Sequence, residues 1–162
     1  MNKSILVVED EPALQKAIQK KLKLSGFNVL CANSVKEALG HLAEHTRVDA
    51  IWLDHYLLGE KNGLDLVHEL KRDGSAWKDI PIFVVSNTAS NDKIRSYKLL
   101  GITQYYTKSD IALSDILREI KQAGQPSVWL WRDTSHRLAG RLISRPLGGL
   151  ALKTCFPPQE VP

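Results

Sequence analysis

The sequence is poor in cysteine, and its two cysteines, Cys31 and Cys155, lie far apart and outside any paired motif. This argues against a disulfide framework and against a cysteine metal site. No stretch approaches the roughly 18 apolar residues of a membrane-spanning helix. The start, MNKSILVVEDE, holds a short apolar run that ends in acidic residues, unlike a signal peptide. We therefore expect a protein of the reducing cytoplasm.

A strong charge of one sign is also lacking over most of the chain. Residues 1–125 contain 17 Lys and Arg against 16 Asp and Glu, a net charge of +1, whereas residues 126–162 carry a net charge of +3. The near-neutral body gives no indication of a nucleic-acid-binding domain. The total of 162 residues favours one domain, residues 1–125, followed by a C-terminal extension, residues 126–162.

Five short apolar runs alternate with five helical patterns along the first 125 residues. This alternation predicts an α/β protein with a five-stranded, parallel, doubly wound sheet and helices on both faces. The runs are residues 5–8, 27–31, 50–53, 82–85 and 103–107. The helical patterns begin at Pro12, at the capping-box sequence from Ser34 to Glu37, at Leu64, at Asn91 and near Asp110.

Polar side chains follow four of the five predicted strands. Glu9 and Asp10 follow the first strand, Asp54 the third, Ser86 the fourth and Lys108 the fifth. The carboxyl ends of parallel strands line one crevice, and ligands bind there. These segments therefore predict an acidic pocket with one lysine and one hydroxyl, suited to Mg²⁺ and a phosphoryl group.

The chemistry of such a pocket assigns a role to each group. A carboxylate can attack phosphorus and carry the phosphoryl group as an acyl phosphate. Mg²⁺, or Mn²⁺ in its place, takes one or two carboxylates together with waters and the phosphate. We expect Asp10 and Asp54 to supply these carboxylates, with Glu9 acting through water. Lys108 would pair with one phosphoryl oxygen, and Ser86 would donate a hydrogen bond to another.

In four segments the chain resembles the receiver domain of two-component response regulators, which are CheY-like. The segments are VVEDE, WLDHYLLGEKNG, FVVSN and YYTKS, and the resemblance covers about residues 3–124. Their order and the 22-residue spacing from Ser86 to Lys108 make the match specific. It implies a flavodoxin-like sheet of order 2-1-3-4-5. It also implies that Asp54 is the phosphoacceptor, with Lys108 and Ser86 as catalytic partners, and that a sensor histidine kinase or a histidine phosphotransfer protein donates the phosphoryl group.

The resemblance implies further roles around the acceptor. Tyr105 falls at the switch aromatic, which would swing inward when Ser86 moves toward the phosphate. The surface of helix four, strand five and helix five would then change its preference for an output protein of unknown identity. A homodimer through this surface is left open. Tyr56, whose backbone carbonyl would also bind the metal, and Thr88 would tune hydrolysis of the acyl phosphate. We hypothesise that Tyr56 shields it from water.

Four positions depart from the usual receiver pattern, and they support a second hypothesis. Leu58 replaces a proline, Gly63 comes one residue late, Asn87 replaces a small residue and Ser109 replaces a cis-proline after Lys108. A cis bond to a residue other than proline costs about 2.5–4 kcal/mol, so this bond is either trans or strained. The first hypothesis is a single-domain response regulator that catalyses its own phosphorylation and slow dephosphorylation. The second is a pseudo-receiver, an interaction module that phosphorylation does not regulate.

Three other interpretations have less support from the sequence. The strand-end acids could be solvated groups or helix caps. A phosphohydrolase of another α/β family is disfavoured because Tyr56, and not a second aspartate, stands two residues beyond Asp54. His41, Glu44 and His45 match the H-x-x-E-H pattern of inverted zinc peptidases, but the sequence offers no clear third ligand.

The C-terminal extension is distinguished by its composition. It contains Trp129 and Trp131, and Arg137, Arg141 and Arg145 recur every four residues. One interpretation is a short basic helix that binds a partner, an acidic membrane or nucleic acid. We favour the other, an extension that is poorly ordered or is packed by its tryptophans.

Overall fold

The computed structural model describes residues 2–44, 47–88, 90–110 and 112–123. The predicted C-terminal extension, with its tryptophans and its regularly spaced arginines, lies outside these residues. None of the described helices is long and apolar enough to cross a membrane.

Five parallel strands form one sheet in the order β2-β1-β3-β4-β5, and five helices connect or follow them. This confirms the predicted α/β class, the doubly wound sheet and the strand order. The strands are β1 (Ser4–Val8), β2 (Asn28–Ala32), β3 (Ala50–Leu53), β4 (Ile82–Ser86) and β5 (Gln104–Thr107). The helices are α1 (Pro12–Leu24), α2 (Val35–Glu44), α3 (Gly63–Lys71), α4 (Asn91–Leu99) and α5 (Leu113–Gln122).

The sheet register brings the carboxyl ends of the strands to one edge. Val8 at the end of β1 is paired with Leu53 at the end of β3, and Leu53 is paired with Val84 in β4. Ser86 at the end of β4 is paired with Thr107 at the end of β5. The strand order reverses between β1 and β3, which is where an open α/β sheet binds its ligands. The residues that follow β1, β3 and β5 therefore meet at this point.

The three central strands, β1, β3 and β4, are almost entirely apolar because both faces of the sheet are covered there. One face packs against α1 and α5, with Val7, Trp52 and Phe83 among its buried side chains. The other face packs against α2, α3 and α4, with Leu6 and Leu53 among its buried side chains. Two cores thus hold the strand ends in fixed positions.

The start of α5 corrects one expectation. The helix begins at Leu113, three residues after the predicted start at Asp110. The N–H of Asp110 donates to the carbonyl of Thr107 at 3.0 Å, so the polar residues after β5 form a turn instead of the first helical turn. The peptide bond between Lys108 and Ser109 in this turn is trans.

Candidate functional site

The side chain of Lys108 joins two acidic residues from other strands. Its Nζ lies 2.7 Å from Oδ2 of Asp54, and 3.0 and 3.2 Å from the two carboxylate oxygens of Glu9. Backbone hydrogen bonds fix both acids at the sheet edge. The N–H of Glu9 donates to the carbonyl of Ala32 at 3.0 Å, and that of Asp54 donates to the carbonyl of Val8 at 2.9 Å.

Both carboxylates are almost fully removed from water, Glu9 at 1% and Asp54 at 4% exposure. Burial raises the pKa of Glu9 to about 7, and the nearby charge of Asp54 adds to this, while the hydrogen bond from Lys108 opposes it. Burial by itself lowers the pKa of Lys108, but its hydrogen bonds to Asp54 and Glu9 outweigh burial and raise it. The lysine is therefore held as a cation by the two acids.

Asp10 completes an acidic cluster at the same edge. Carboxylate oxygens of Glu9, Asp10 and Asp54 lie within 4.8 Å of one another, and no other such group occurs among the residues that the structure describes. Three carboxylates for one ammonium group leave an excess of negative charge. Hard divalent cations such as Mg²⁺ prefer oxygen ligands of this kind. The donor set therefore fits the predicted metal.

The hydroxyl of Ser86 lies at the end of β4, beside the cluster in the sheet. Its carbonyl accepts the N–H of Lys108 at 2.9 Å, which ties the ends of β4 and β5 together. Its Oγ is fully buried and makes no hydrogen bond of normal geometry among the described residues, although the hydroxyl of Tyr105 is close enough to interact with it. A buried hydroxyl without a partner is costly, and a ligand oxygen would satisfy it.

The predicted switch aromatic contacts the loop that follows β4. The hydroxyl of Tyr105 donates to the carbonyl of Thr88, and its half-buried ring lies 5.6 Å, centroid to centroid, from the ring of Tyr97 in α4. The side chain of Tyr105 thus connects β5 to two places, the loop after β4 at Thr88 and helix α4 at Tyr97.

Tyr56 and Thr88, which lie two residues after Asp54 and Ser86, share a contact that the sequence did not indicate. Lys93 in the first turn of α4 places its Nζ 2.8 Å from Oγ1 of Thr88 and 4.9 Å from the centroid of the Tyr56 ring. Tyr56 is 53% exposed. The lysine therefore holds together two side chains from the loops after β3 and β4.

The loop after β3 is fixed by hydrogen bonds around His55. The N–H of His55 donates to Oδ1 of Asp54 at 2.6 Å, and its carbonyl accepts the N–H of Gly63 at 2.8 Å. Its ring Nδ1 lies 2.8 Å from the hydroxyl of Tyr97. Burial, followed by the charge of Lys93, lowers the pKa of His55, so the neutral ring is favoured.

Only His41 and Glu44 of the H-x-x-E-H pattern lie among the described residues. The ring Nε2 of His41 lies 2.9 Å from the carbonyl of Cys31, and His45 lies outside the described residues. The structure therefore supplies no support for zinc chemistry at this pattern.

The fold and the acidic cluster agree with a comparison against known families. The model of the response regulator receiver domain matches residues 5–121 of the chain. The chain belongs to this family.

Several known proteins are similar to this chain in sequence or structure. The sensory/regulatory protein RpfC of Xanthomonas campestris is 28% identical over 138 residues, which are 81% of this chain and 19% of RpfC. The phosphorylated cyanobacterial phytochrome response regulator RcpA is 31% identical, with a TM-score of 0.64 over 75% of this chain and 91% of RcpA. The Mn²⁺-bound response regulator Rcp1 is 26% identical, with a TM-score of 0.62 over 74% of this chain and 90% of Rcp1.

The similarity covers only part of each of the curated relatives. The chain spans from about a fifth to half of the length of the curated relatives it matches.

Most of the site residues predicted for this receiver domain come together in the structure. Glu9, Asp10, Asp54 and Lys108 form one cluster, and Ser86 lies at the adjacent strand end. Tyr56, Thr88 and Tyr105 lie in or contact the loops that follow β3 and β4. The catalytic, switch and metal-binding roles of these residues, including that of the Tyr56 carbonyl, stay predictions.

Sequence reasoning missed the contacts made by Lys93 and Tyr97, both in α4. Lys93 lies three residues after Ser90, whose side chain caps the start of α4. This capping pattern in the sequence could have placed Lys93 in the first turn of the helix, beside the preceding loop. Tyr97 was not distinguishable from an ordinary core aromatic, because its partner His55 lies 42 residues away.

Proposed function

We propose that this receiver domain accepts a phosphoryl group on Asp54 from a phosphohistidine, carried by a sensor histidine kinase or a histidine phosphotransfer protein. The observation that carries the proposal is the ion pair between Lys108 and Asp54 at 2.7 Å, inside a cluster of three carboxylates. The similarity to the phosphorylated form of RcpA supports it.

The transfer proceeds as an in-line displacement at phosphorus. A carboxylate oxygen of Asp54 forms a bond to phosphorus while the bond from phosphorus to the donor's imidazole nitrogen breaks, and that nitrogen keeps the electron pair. Lys108 leaves its ion pair with Asp54 and pairs with a phosphoryl oxygen. The buried hydroxyl of Ser86 donates a hydrogen bond to another phosphoryl oxygen. These groups position the phosphoryl group and neutralise its charge.

A divalent cation, Mg²⁺ or Mn²⁺, is the cofactor that the acidic cluster favours. Asp10 and Asp54 would bind it directly, Glu9 through a water molecule, and Tyr56 through its backbone carbonyl. When bound, such an ion neutralises the negative charge that the carboxylates and the phosphoryl group bring together. The Mn²⁺-bound form of the similar protein Rcp1 supports this assignment.

Phosphorylation would act on partners through the surface of α4, β5 and α5. In this proposal Ser86 moves toward the phosphoryl group, and Tyr105, which is half-buried and bonded to the carbonyl of Thr88, swings further inward. The exposed surface then changes its affinity for an output protein. A homodimer through the same surface would be a second way to use the change.

Two flanking residues would set the lifetime of the acyl phosphate. Tyr56 and Thr88 stand two residues after Asp54 and Ser86, and Lys93 contacts both side chains. We infer that Tyr56, held by this lysine, limits the access of water to phosphorus.

The domain assignment completes the proposal, with residues 1–125 as the receiver domain and residues 126–162 as an extension.

Labelling with a small phosphodonor tests the proposed function. The full chain is incubated with acetyl phosphate, with and without Mg²⁺, and its intact mass is recorded beside that of Asp54→Asn. The expected result is a gain of one phosphoryl group in the wild type that requires Mg²⁺ and is lost in the variant. No gain, under conditions that label a control receiver, would favour the pseudo-receiver instead.

A further inference from the structure

The core beneath α4 contains one buried polar side chain that the proposed phosphoryl transfer does not use. Tyr97 is the only buried residue of α4, and no part of its side chain is exposed to water. Its hydroxyl meets the ring of His55, with 2.8 Å between the oxygen and Nδ1. Either tautomer of the neutral ring completes this bond, because a hydroxyl both donates and accepts.

His55 connects this hydroxyl to the phosphoacceptor. The backbone N–H of His55 donates to Oδ1 of Asp54 at 2.6 Å, and its ring reaches Tyr97. A contiguous set of hydrogen bonds therefore runs from the carboxylate of Asp54, through one residue, to the middle of α4.

The packing beside this connection leaves no room for a side chain at position 63. A Cβ atom on Gly63 would lie 2.5 Å from the carbonyl oxygen of Asp54, 2.7 Å from the hydroxyl of Tyr97 and 3.1 Å from Cα of His55. Such distances are far below van der Waals contact, so only glycine fits here. Gly63 thereby lets the loop after Asp54 and helix α4 approach closely. A shift of this loop must therefore be accommodated by a shift of α4, and the reverse.

Tyr97 also contacts the switch aromatic. Its ring centroid lies 5.6 Å from that of Tyr105 and 5.9 Å from that of His55. One buried side chain of α4 is thus in contact with a residue next to the phosphoacceptor and with the residue that would move on phosphorylation.

We propose that Tyr97 is a positioning residue that couples the state of Asp54 to α4 through its hydrogen bond with His55. The function of this coupling rests on the proposed phosphorylation of Asp54. Conversion of the carboxylate to an acyl phosphate weakens Oδ1 as an acceptor or removes it, so the hydrogen bond from the N–H of His55 is weakened or lost. The ring of His55 then shifts against the hydroxyl of Tyr97, and α4 responds.

A purely structural role for Tyr97 makes a different prediction, and a matched control separates the two. Tyr106 also carries a buried hydroxyl, which donates to Glu119, but it packs on the opposite face of the sheet, against α1 and α5. Tyr97→Phe and Tyr106→Phe each remove one buried hydroxyl. Both should destabilise the fold, whereas only Tyr97→Phe should affect communication with Asp54.

A double-mutant cycle in metal-free buffer measures the coupling without any phosphorylation. Urea unfolding is recorded for the wild type, Asp54→Ala, Tyr97→Phe and the double variant, and a second cycle uses Tyr106→Phe. We expect the unfolding constant of the first double variant to differ about threefold or more from the product of the single effects. The second cycle should be multiplicative. If Tyr97→Phe does not fold, His55→Leu breaks the same bond from its more exposed side. A multiplicative result for the first cycle would overturn the inference.

Hydrogen exchange then tests the response of α4. Exchange of the peptide that covers Asn91–Leu99 is compared with and without acetyl phosphate and Mg²⁺. We expect a change in the wild type and in Tyr106→Phe, and a change at least about threefold smaller in Tyr97→Phe at equal labelling. A full wild-type response in Tyr97→Phe would refute the coupling. If the wild type itself takes no label, the proposed function fails, while the unfolding cycle still decides whether Asp54 and Tyr97 are coupled.

Discussion

Glu9 makes the stability of the fold depend on pH in a direction that can be calculated. Its pKa rises from an ordinary value of 4.5 to about 7 in the folded protein, mainly because of burial. The folded chain therefore binds a proton that the unfolded chain releases between these two values. The stabilising effect of this proton is complete below pH 4.5 and is lost as the pH rises through about 7.

The size of the effect follows from the difference between the two pKa values. One pKa unit corresponds to about 1.4 kcal/mol, so the change from 4.5 to about 7 is worth about 3 kcal/mol of unfolding free energy. Glu9→Gln removes the titrating group and keeps its shape and an oxygen that can accept from Lys108. The variant should therefore lack this loss of stability at high pH.

Urea unfolding over a series of pH values measures the prediction. It is done without divalent cations for the wild type, Glu9→Gln and the control Glu44→Gln, which changes an exposed acid at the end of α2. The stability of Glu9→Gln relative to the wild type should increase by about 3 kcal/mol from pH 4.5 to above pH 7. Parallel curves for the wild type and Glu9→Gln would refute the reasoning.

Five further substitutions test three separate points. Lys108→Gln should slow labelling by acetyl phosphate by about a hundredfold, because the ammonium group 2.7 Å from the acceptor is lost; an unchanged initial rate by intact mass would contradict this. Tyr56→Ala should shorten the lifetime of the phosphoryl group on Asp54. Lys93→Met should shorten it by about threefold, since an exposed cation–π contact is worth about 0.5–1 kcal/mol. Unchanged rates of phosphate loss in both variants would exclude shielding by Tyr56. Gly63→Ala should destabilise the fold by about 1–3 kcal/mol in urea, because its Cβ would meet backbone at 2.5 Å. In contrast, Gly40→Ala in α2 meets no atom within 4 Å and should stabilise the helix by about 0.5–1 kcal/mol; equal effects would contradict the packing argument.

The fold was predictable because each strand carries its own signal. The apolar runs of β1, β3 and β4 are continuous, since both faces of the sheet are buried there, and each leads into a polar residue at the ligand-binding edge. The alternation with helices then leaves few topologies. The strand order of the sheet came from the family resemblance, which the structure confirms.

Two details were not predictable from the local sequence pattern. The start of α5 at Leu113 depends on a turn closed by Asp110 and Thr107, and Asp110 by itself is typical of a helix N-terminus. The bond between His55 and Tyr97 joins two elements whose separate patterns give no hint of a partner. A hydrogen bond between residues far apart in the chain depends on how the elements pack. The local pattern around each residue does not show which distant residue will be its partner.

The most direct test of the central claim is to find which residue carries the phosphoryl group. After labelling with acetyl phosphate and Mg²⁺, borohydride reduces an acyl phosphate to an alcohol, and peptide mass spectrometry locates the altered residue. We predict that the alteration occurs at Asp54 and depends on Mg²⁺. Reduction at another acidic residue, such as Glu9 or Asp10, or a labelled protein without any reduced carboxyl group, would contradict the proposed function.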